Sequence, residues 1–205
     1  MGIGVAQLRK SMDALVEIEP AFGRRLAEIG YPPPRIRDRG YQTLLRTILG
    51  QQVSVASADA VWQKLSDTLG DASDPAKLLA ADPDELRGAG FSRQKMGYAL
   101  SLAELVVSGR LDLEALPRDD EAAIAELVAV KGIGRWSAEV YLLFAEGRRD
   151  IWPAGDLAVQ IETGKLLGWS DRPSEQEVRE AADPWRPHRG AAAIFAWHSY
   201  NTEVI

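Results

Sequence analysis

Apolar side chains recur along this chain at the three- and four-residue spacing of helices that bury one face. No segment sustains the alternation of apolar and polar residues that is typical of a strand. Helices are predicted at residues 5–18, after Pro20, from Tyr41, from Ser54, after Asp74, after Asp82, at about 92–108, after Asp119 or Asp120, at about 157–167, from Ser174 and near the C-terminal end. The pattern therefore predicts an all-α protein.

One segment, residues 31–37 (Tyr-Pro-Pro-Pro-Arg-Ile-Arg), interrupts the helical pattern. Its prolines have no amide hydrogen to donate, and each holds the residue before it in an extended conformation. We predict an extended connector here, and this segment is the best candidate for a linker in the sequence.

The stretch from Leu127 to Asp156 is the most informative part of the chain. A periodic helix leads into a turn at residues 131–135 (Lys-Gly-Ile-Gly-Arg). The second helix carries on one face Trp136, Val140, Leu143 and Phe144. Gly132 and Gly134 lie where a turn needs a positive φ or where another group approaches the backbone. Most Gly-x-Gly pairs only connect helices, but amides ahead of a helix also suit a phosphate. Helix, turn and helix together resemble the helix-hairpin-helix DNA-binding element.

The net charge of −6 argues against nucleic-acid binding through bulk electrostatics. It leaves room for a localised basic face. Basic residues fall around the glycine turn and near the end of the chain: Lys131, Arg135, Arg148, Arg149, Arg186 and Arg189. Any contact with nucleic acid must therefore be local and geometric.

The chain has no cysteine, which excludes disulfides, zinc–thiolate sites and a cysteine-ligated iron–sulfur cluster. The two histidines, His188 and His198, cannot by themselves build a metal site of the usual kind. We interpret both as structural, although His188 is also placed to contact phosphate beside Arg186 and Arg189. We expect that no cofactor is required.

The hydrophobic content of 46% and the charged content of 26% are ordinary for a globular protein. No apolar run approaches the length of a membrane span, and the N-terminal residues are amphipathic rather than signal-like. We expect a cytoplasmic protein, associated with the nucleoid in a prokaryote, that has no membrane partner.

Asp156 follows Trp152-Pro153-Ala154-Gly155 and precedes a predicted helix. Most aspartates in such a position are N-caps. A carboxylate held among helix N-terminal amides also stays ionised, and it can stabilise an oxocarbenium ion or orient an attacking water. Position alone leaves both interpretations open.

Two other features carry a structural and a functional interpretation side by side. Trp136, Trp152 and Trp185 flank the central stretch, either as buried packing or as flat surfaces for a flipped and cationic base. Gln51 and Gln52 interrupt two apolar helices, either as an ordinary junction or as amides that probe base edges and fill a gap in a duplex.

Four segments resemble the helix-hairpin-helix DNA glycosylase superfamily, and within it the 3-methyladenine DNA glycosylase II (AlkA-like) family. They are residues 48–55 (ILGQQVSV), 132–138 (GIGRWSA), 152–156 (WPAGD) and 185–189 (WRPHR), in the family's order. The resemblance implies an all-α fold of two helical lobes. Residues 1–40 and 149–205 would form one lobe, and residues 41–148 a barrel-like lobe with the hairpin at about 121–146.

The resemblance also implies roles for single positions. Asp156 corresponds to the catalytic aspartate, and Trp136 replaces the Schiff-base lysine of bifunctional relatives, so no lyase activity is expected. The implied base pocket contains Trp136, Trp185 and Tyr141. The implied DNA contacts are Gln51, the wedge residue Gln52, Lys131, Gly132, Ile133, Gly134, Arg135 and Ser137. The backbone carbonyls of Val128, Val130 and Ile133 would bind a structural Na⁺ or K⁺.

Some positions depart from the family pattern. We expect the N-terminal mixed domain of larger members to be absent, because the first elements predicted here are helices. Val140 stands where some relatives have a pocket tyrosine, with Tyr141 adjacent, and His188 replaces a common aromatic residue. These departures bear on the substrate range more than on the reaction.

The implied function is that of a monofunctional, monomeric DNA glycosylase that acts in base excision repair on double-stranded DNA with alkylated bases. It would excise 3-methyladenine-type purines and 7-methylguanine by hydrolysis. A non-catalytic helix-hairpin-helix protein that only binds DNA is the alternative from another class. A glycosylase for another lesion is the alternative within the same class.

Overall fold

The computed structural model describes residues 2–203, and all regular structure within that range is helical. The α-helices are α1 (Val5–Ile18), α2 (Pro20–Ile29), α3 (Tyr41–Gly50), α4 (Val55–Leu69), α5 (Pro75–Ala80), α6 (Pro83–Gly88), α7 (Arg93–Val107), α8 (Asp120–Val128), α9 (Arg135–Tyr141), α10 (Leu157–Leu167), α11 (Glu175–Ala181) and α12 (Arg189–Glu203). A π-helical segment spans Leu142–Glu146 and a 3₁₀ turn spans Asp183–Trp185. The all-α prediction is confirmed.

The helices begin where short polar side chains accept the first free amides. Ser54, Ser92 and Asp119 each accept a hydrogen bond from a backbone amide in the first turn of α4, α7 and α8. Capping boxes begin α6 at Asp82 and α11 at Ser174. These local signals explain why the predicted helix starts agree with the structure.

The chain divides into two compact units. The central unit comprises Arg39–Tyr141, and the terminal unit comprises the residues up to Asp38 together with those from Leu142 onward. The sequence placed the later boundary after Arg148, whereas the structure places it after Tyr141, where α9 runs directly into the π-helical segment. The segment belongs to the terminal unit because Phe144 packs there against Trp197.

In the central unit, α3 packs against α4 and α7, and α7 also packs against α5. The buried face of α3 contains Leu44, Leu45 and Ile48, as its periodicity predicts. Fully burying each such side chain contributes roughly 1.5–3 kcal/mol. This core holds the ends of α3, α7 and α8, from which the candidate site is built.

In the terminal unit, α12 packs against α10 and α1, and α1 packs against α2. Residues 191–197 of α12 are all buried. This segment is rich in alanine, whose small side chain lets neighbouring helices approach closely. Of the helices in residues 2–203, none is both long and apolar enough to cross a bilayer.

Candidate functional site

The turn between α8 and α9 requires glycine at its second residue. Gly132 has a φ of +85°, and a Cβ at this position would lie 2.1 Å from the ring of Tyr98. A side chain here would be strained by the backbone conformation and would clash with that ring. Gly132 therefore shapes the turn.

Gly134 serves a different purpose, because it needs neither a positive φ nor internal space. A Cβ at Gly134 would meet no atom within 4 Å. The Gly134 amide makes no hydrogen bond to any residue that the structure describes, while its carbonyl accepts from the amide of Ala138. The chain itself does not require glycine here, but an outside group that approaches the backbone would.

The junction between α3 and α4 is bonded to this turn. The Gln51 side-chain amide donates to the carbonyl oxygen of Gly132 at 2.7 Å. Gln52 is exposed and has a φ of +57°, a left-handed conformation that is uncommon for a residue with a Cβ. The structure thus brings Gln51 together with the hairpin and presents Gln52 at the surface of the junction.

Helix α7, for which the sequence predicts only a helix at about 92–108, supports both the turn and the junction. Lys95 donates from Nζ to the carbonyl oxygen of Leu49 at 2.7 Å, and burial lowers the pKa of Lys95. Tyr98, one turn later on α7, packs against Gly132. The sequence signal for these roles was the spacing of two polar residues on one face of a helix.

The two basic residues of the turn differ in their surroundings. Arg135 pairs with Glu121, at distances of 2.8 and 2.5 Å, and with the buried Glu139 at 2.9 Å. The hydrogen bond that Arg135 donates to Glu121 is the largest of the effects that raise the pKa of Arg135. Lys131 is exposed and has no ion pair with a side chain of residues 2–202. Its positive charge is therefore the more available of the two.

Ser137, Trp136 and Tyr141 follow on α9. Ser137 is buried, whereas Trp136 is 47% exposed although it shares a helical face with the buried Val140. Tyr141 is buried and its hydroxyl accepts a hydrogen bond from the Gly40 amide at 2.8 Å. Trp136 thus offers an aromatic surface to solvent, whereas Tyr141 holds the start of α3.

The turn also contains the carbonyls expected to bind a monovalent cation. Ile133 is buried, and its amide donates to the Val130 carbonyl at 3.0 Å. The carbonyl oxygens of Val128 and Ile133 accept no hydrogen bond from the described residues. Carbonyl oxygens are hard donors suited to such an ion. Residues 2–203 contain no cluster of three or more His, Cys, Asp or Glu side chains suited to a metal.

In the terminal unit, Asp156 forms the N-cap of α10. Its Oδ1 accepts a hydrogen bond from the Val159 amide at 3.1 Å, and its own amide donates to the Pro153 carbonyl. Gln160 donates from its side chain to the Ala154 carbonyl at 2.9 Å. The half-buried carboxylate is therefore held by a closed loop at a helix N-terminus.

Trp185 lies in the core of the terminal unit and is only 3% exposed. Its ring makes edge contacts with Phe22 and Trp152, at centroid distances of 5.0 and 5.5 Å. It lines a cavity of about 290 Å³ whose lining residues do not include Asp156. The structure does not bring Trp185 and Asp156 to the same cavity.

Sequence reasoning missed Trp197 and Arg35, which lie in the same unit as Asp156. The Arg35 guanidinium carbon stands 5.6 Å from the centre of the Trp197 ring. Burial is the main cause that lowers the pKa of Arg35, and the negative charge of Asp156 acts in the opposite direction. The sequence signal for Arg35 lay in the Pro-rich connector, residues 31–37, which was interpreted only as a linker.

The histidines have internal partners, as expected for structural residues. His188 Nδ1 lies 3.2 Å from the Ser11 hydroxyl, and His198 Nε2 lies 3.1 Å from the Ile29 carbonyl. Beside His188, Arg186 and Arg189 both bind Asp150.

The chain is similar in sequence to known proteins over most of its length. Residues 45–187 match the family described as HhH-GPD superfamily base excision DNA repair protein. DNA-3-methyladenine glycosylase 1 of Schizosaccharomyces pombe is 29% identical over 200 residues, covering 94% of this chain and 88% of that protein. DNA-3-methyladenine glycosylase 2 of Escherichia coli is 27% identical over 188 residues, which cover 85% of this chain and 64% of that longer protein.

Solved structures show the same fold. The S. pombe 3-methyladenine DNA glycosylase Mag1 in complex with abasic DNA gives a TM-score of 0.77 at 28% identity, covering 96% of this chain and 97% of that one. The DNA-3-methyladenine glycosidase of Bacillus halodurans gives a TM-score of 0.86 at 27% identity, with coverages of 96% and 90%.

Proposed function

This chain belongs to the HhH-GPD superfamily of base excision DNA repair proteins, and we propose that it is a monofunctional glycosylase for alkylated purines. It hydrolyses the N-glycosidic bond of 3-methyladenine, and also of 7-methylguanine, in double-stranded DNA. The observation that carries the proposal is the Asp156 carboxylate held at the N-terminus of α10. The 3-methyladenine glycosylases similar in sequence support this substrate class.

The proposed chemistry needs an anion rather than a strong acid. An alkylated purine is already cationic, so it leaves C1′ with its bonding electrons without prior protonation. The sugar then develops positive charge, which the Asp156 carboxylate stabilises before water adds at C1′. The Asp156 carboxylate accepts a hydrogen bond from the Val159 amide at the N-terminus of α10, where the helix dipole favours a negative charge.

The flipped base stacks on Trp136 in this proposal. The support is the exposed ring of Trp136 at the start of α9. A cationic base gains from the negative face of an indole ring. We assign Tyr141 and Trp185 structural roles, each within its own unit, because both are buried and contact residues of that unit.

The hairpin binds the DNA backbone. The amide of Gly134 and the charge of Lys131 would meet phosphate oxygens, while Arg135 stabilises the hairpin through Glu121 and Glu139. A monovalent cation on the Val128, Val130 and Ile133 carbonyls would add positive charge next to the phosphate. Gln52 fills the space left by the flipped nucleotide, and Gln51 fixes that wedge to the turn.

The reaction should involve no lyase step. Cleavage of the DNA backbone by bifunctional glycosylases uses an amine that attacks C1′, and tryptophan at position 136 offers none. We also expect the protein to act as a monomer, which sedimentation of the free and DNA-bound chain would test.

A lesion panel tests the proposal. Purified protein is incubated with duplexes that carry one defined lesion each, and released bases are separated and quantified. Release of 3-methyladenine and 7-methylguanine without strand cleavage is the expected result. Release of only uracil, a mismatched base or an oxidised base would assign another lesion class. DNA binding without release of any base would identify a non-catalytic protein, and an adduct trapped by borohydride would contradict the absence of lyase activity.

A further inference from the structure

Two arginines of the Pro-rich connector stand on an aromatic pair of the terminal unit. The guanidinium carbons of Arg35 and Arg37 lie 5.6 Å from the ring centre of Trp197 and 5.8 Å from that of Phe144. The two rings contact each other edge to face, with centroids 5.4 Å apart. Stacking on a ring fixes the plane of a guanidinium and leaves its N–H groups at the edge available to a ligand.

The backbone of this connector is held in place. The Arg37 amide donates to the Phe144 carbonyl at 2.9 Å. Gly2 lies against the same groups, since a Cβ there would be 2.4 Å from the Phe144 carbonyl oxygen and 3.2 Å from that of Arg35. The two guanidinium groups are thus positioned by both rings and backbone.

Their charges are not neutralised within the described part of the chain. Neither Arg35 nor Arg37 forms an ion pair with a carboxylate of residues 2–202. Other arginines do, among them Arg135, Arg179 and Arg189. Arg35 and Arg37 lie two residues apart in the connector, and each stands on one of two rings that contact each other.

The two guanidinium groups also oppose each other electrostatically. Burial is the main cause that lowers the pKa of Arg35, and the positive charge of Arg37 lowers it further. Asp156 is the carboxylate that counteracts this effect. An anion shared by both arginines would relieve the repulsion, and it would lie in the electrostatic neighbourhood of Asp156.

We propose that Arg35 and Arg37, stacked on Trp197 and Phe144, form a binding site for one phosphodiester group of the DNA strand that carries the lesion. Paired guanidinium groups suit phosphate oxygens, with which they form bidentate hydrogen bonds. The inference rests on the proposed function, because it assigns this phosphate to the nucleotide whose sugar faces Asp156. The bound phosphate also neutralises the arginines, so the charge of Asp156 remains available to the developing sugar cation.

Salt dependence of DNA binding gives the first test. The full chain, Arg35→Gln/Arg37→Gln and the control Arg172→Gln are titrated against a duplex with a stable abasic analogue at several NaCl concentrations. Arg172 is exposed, belongs to the same unit and has no ion pair among the described residues. The double variant should lower the slope of log K against log salt by about 1, and the control should leave it unchanged. An unchanged slope in the double variant would overturn the proposal.

Replacing single phosphates by neutral methylphosphonates locates the contact. One position near the lesion should weaken binding by the wild-type chain and have no further effect on the double variant. If the methylphosphonate weakened binding by the double variant as much as binding by the wild type at every position, the proposal would be overturned.

Arg35→Lys/Arg37→Lys, which keeps the charge, should restore the salt slope, and thermal melting of each variant reports whether it folds. Competition by inorganic phosphate at constant ionic strength tests whether the site binds a free anion. If inorganic phosphate abolished the difference in DNA binding between the wild type and the double variant, the assignment to a phosphodiester would be contradicted.

The outcome is separable from that of the lesion panel. A chain that shows the position-specific phosphate effect but releases no base would keep this site and lose the proposed function. If the chain releases methylated purines but the double variant has an unchanged salt slope, the proposed function stands and this phosphate site is wrong.

Discussion

Helices α9 and α10 both begin after a glycine-containing turn, but their first turns are satisfied in different ways. Asp156 caps α10 with its own carboxylate, which accepts from the Val159 amide. Gly134 precedes α9, has no side chain to offer, and its amide has no partner within the described residues. One helix therefore carries its own anion, while the other leaves the Gly134 amide open to the phosphate that we propose binds there.

This difference separates catalysis from anchoring. An N-cap contributes typically about 1 kcal/mol, and a charge near the end of a helix contributes a further ~0.3–1 kcal/mol. In α10 this stabilisation is gained on folding, because the Asp156 side chain accepts the Val159 amide within the chain. In α9 it would be gained on binding DNA, so it contributes to affinity.

Replacing Asp156 by asparagine removes the charge but keeps an N-cap oxygen. The rate of base release under single-turnover conditions should fall on the order of 10²–10³-fold, while the melting temperature stays near that of the wild type. Asp156→Ala should lose the same activity and also about 1 kcal/mol of unfolding free energy. Release by Asp156→Asn within a few-fold of the wild-type rate would end the catalytic assignment.

Replacing Gly132 by alanine should damage the hairpin itself. The left-handed backbone and the clash with Tyr98 together should cost about 2–4 kcal/mol in the free energy of unfolding. Urea denaturation measures this loss. A variant as stable as the wild type would show that the turn tolerates a different conformation.

Replacing Gly134 by alanine should give the opposite profile. Stability should change by less than about 1 kcal/mol, because the added Cβ meets no atom of the chain. Affinity for duplex DNA should fall by about tenfold, which corresponds to ~1.4 kcal/mol, because the Cβ occupies the approach of a phosphate. Normal affinity in a folded Gly134→Ala protein would show that α9 does not receive its anion at this residue.

Replacing Gln51 by leucine removes the hydrogen bond from Gln51 to the Gly132 carbonyl. The loss should be about 1 kcal/mol in the free energy of unfolding. Base release should slow more than DNA binding weakens, since the wedge at Gln52 loses its fixed distance from the hairpin. Equal effects on binding and release would reduce Gln51 to a packing residue. Gln63→Leu on the exposed face of α4 is the matched control.

The smallest effect separates Lys131 from Arg135. Lys131→Gln should lower the salt slope of DNA binding by about 1, whereas Arg135→Gln should leave the slope nearly unchanged, because two carboxylates already neutralise that guanidinium. Fluorescence anisotropy at several salt concentrations measures both. If the two variants had equal slopes, Lys131 and Arg135 would contribute equally to the electrostatic part of DNA binding.

The sequence predicted the helices well because the signals that determine them are local. Periodic apolar residues, prolines at first positions and Ser or Asp caps act within one or two turns. The position of Asp156 ahead of α10 follows from the same rules. The four motif segments also indicated the family that the comparisons then showed.

The remaining features depend on contacts between distant residues. Nothing in the sequence around Gly132 shows that Tyr98 packs on it, so the different needs of Gly132 and Gly134 were not separable. Trp136 shares its helical face with buried residues, yet its position in the first turn of α9 leaves it exposed. The importance of the connector was missed for the same reason, because its arginines depend on Phe144 and Trp197, more than a hundred residues later.

The prolines of the connector have a further consequence, for the entropy of association. Proline restricts the unfolded chain and holds its neighbours extended before any ligand arrives. Arg35 and Arg37 are therefore already ordered in the free protein, and binding needs to immobilise less of the chain. Calorimetry of DNA binding by Pro33→Gly would detect this effect, because Pro33 is exposed. The replacement should make the entropy of DNA binding less favourable and leave every polar contact with the DNA in place.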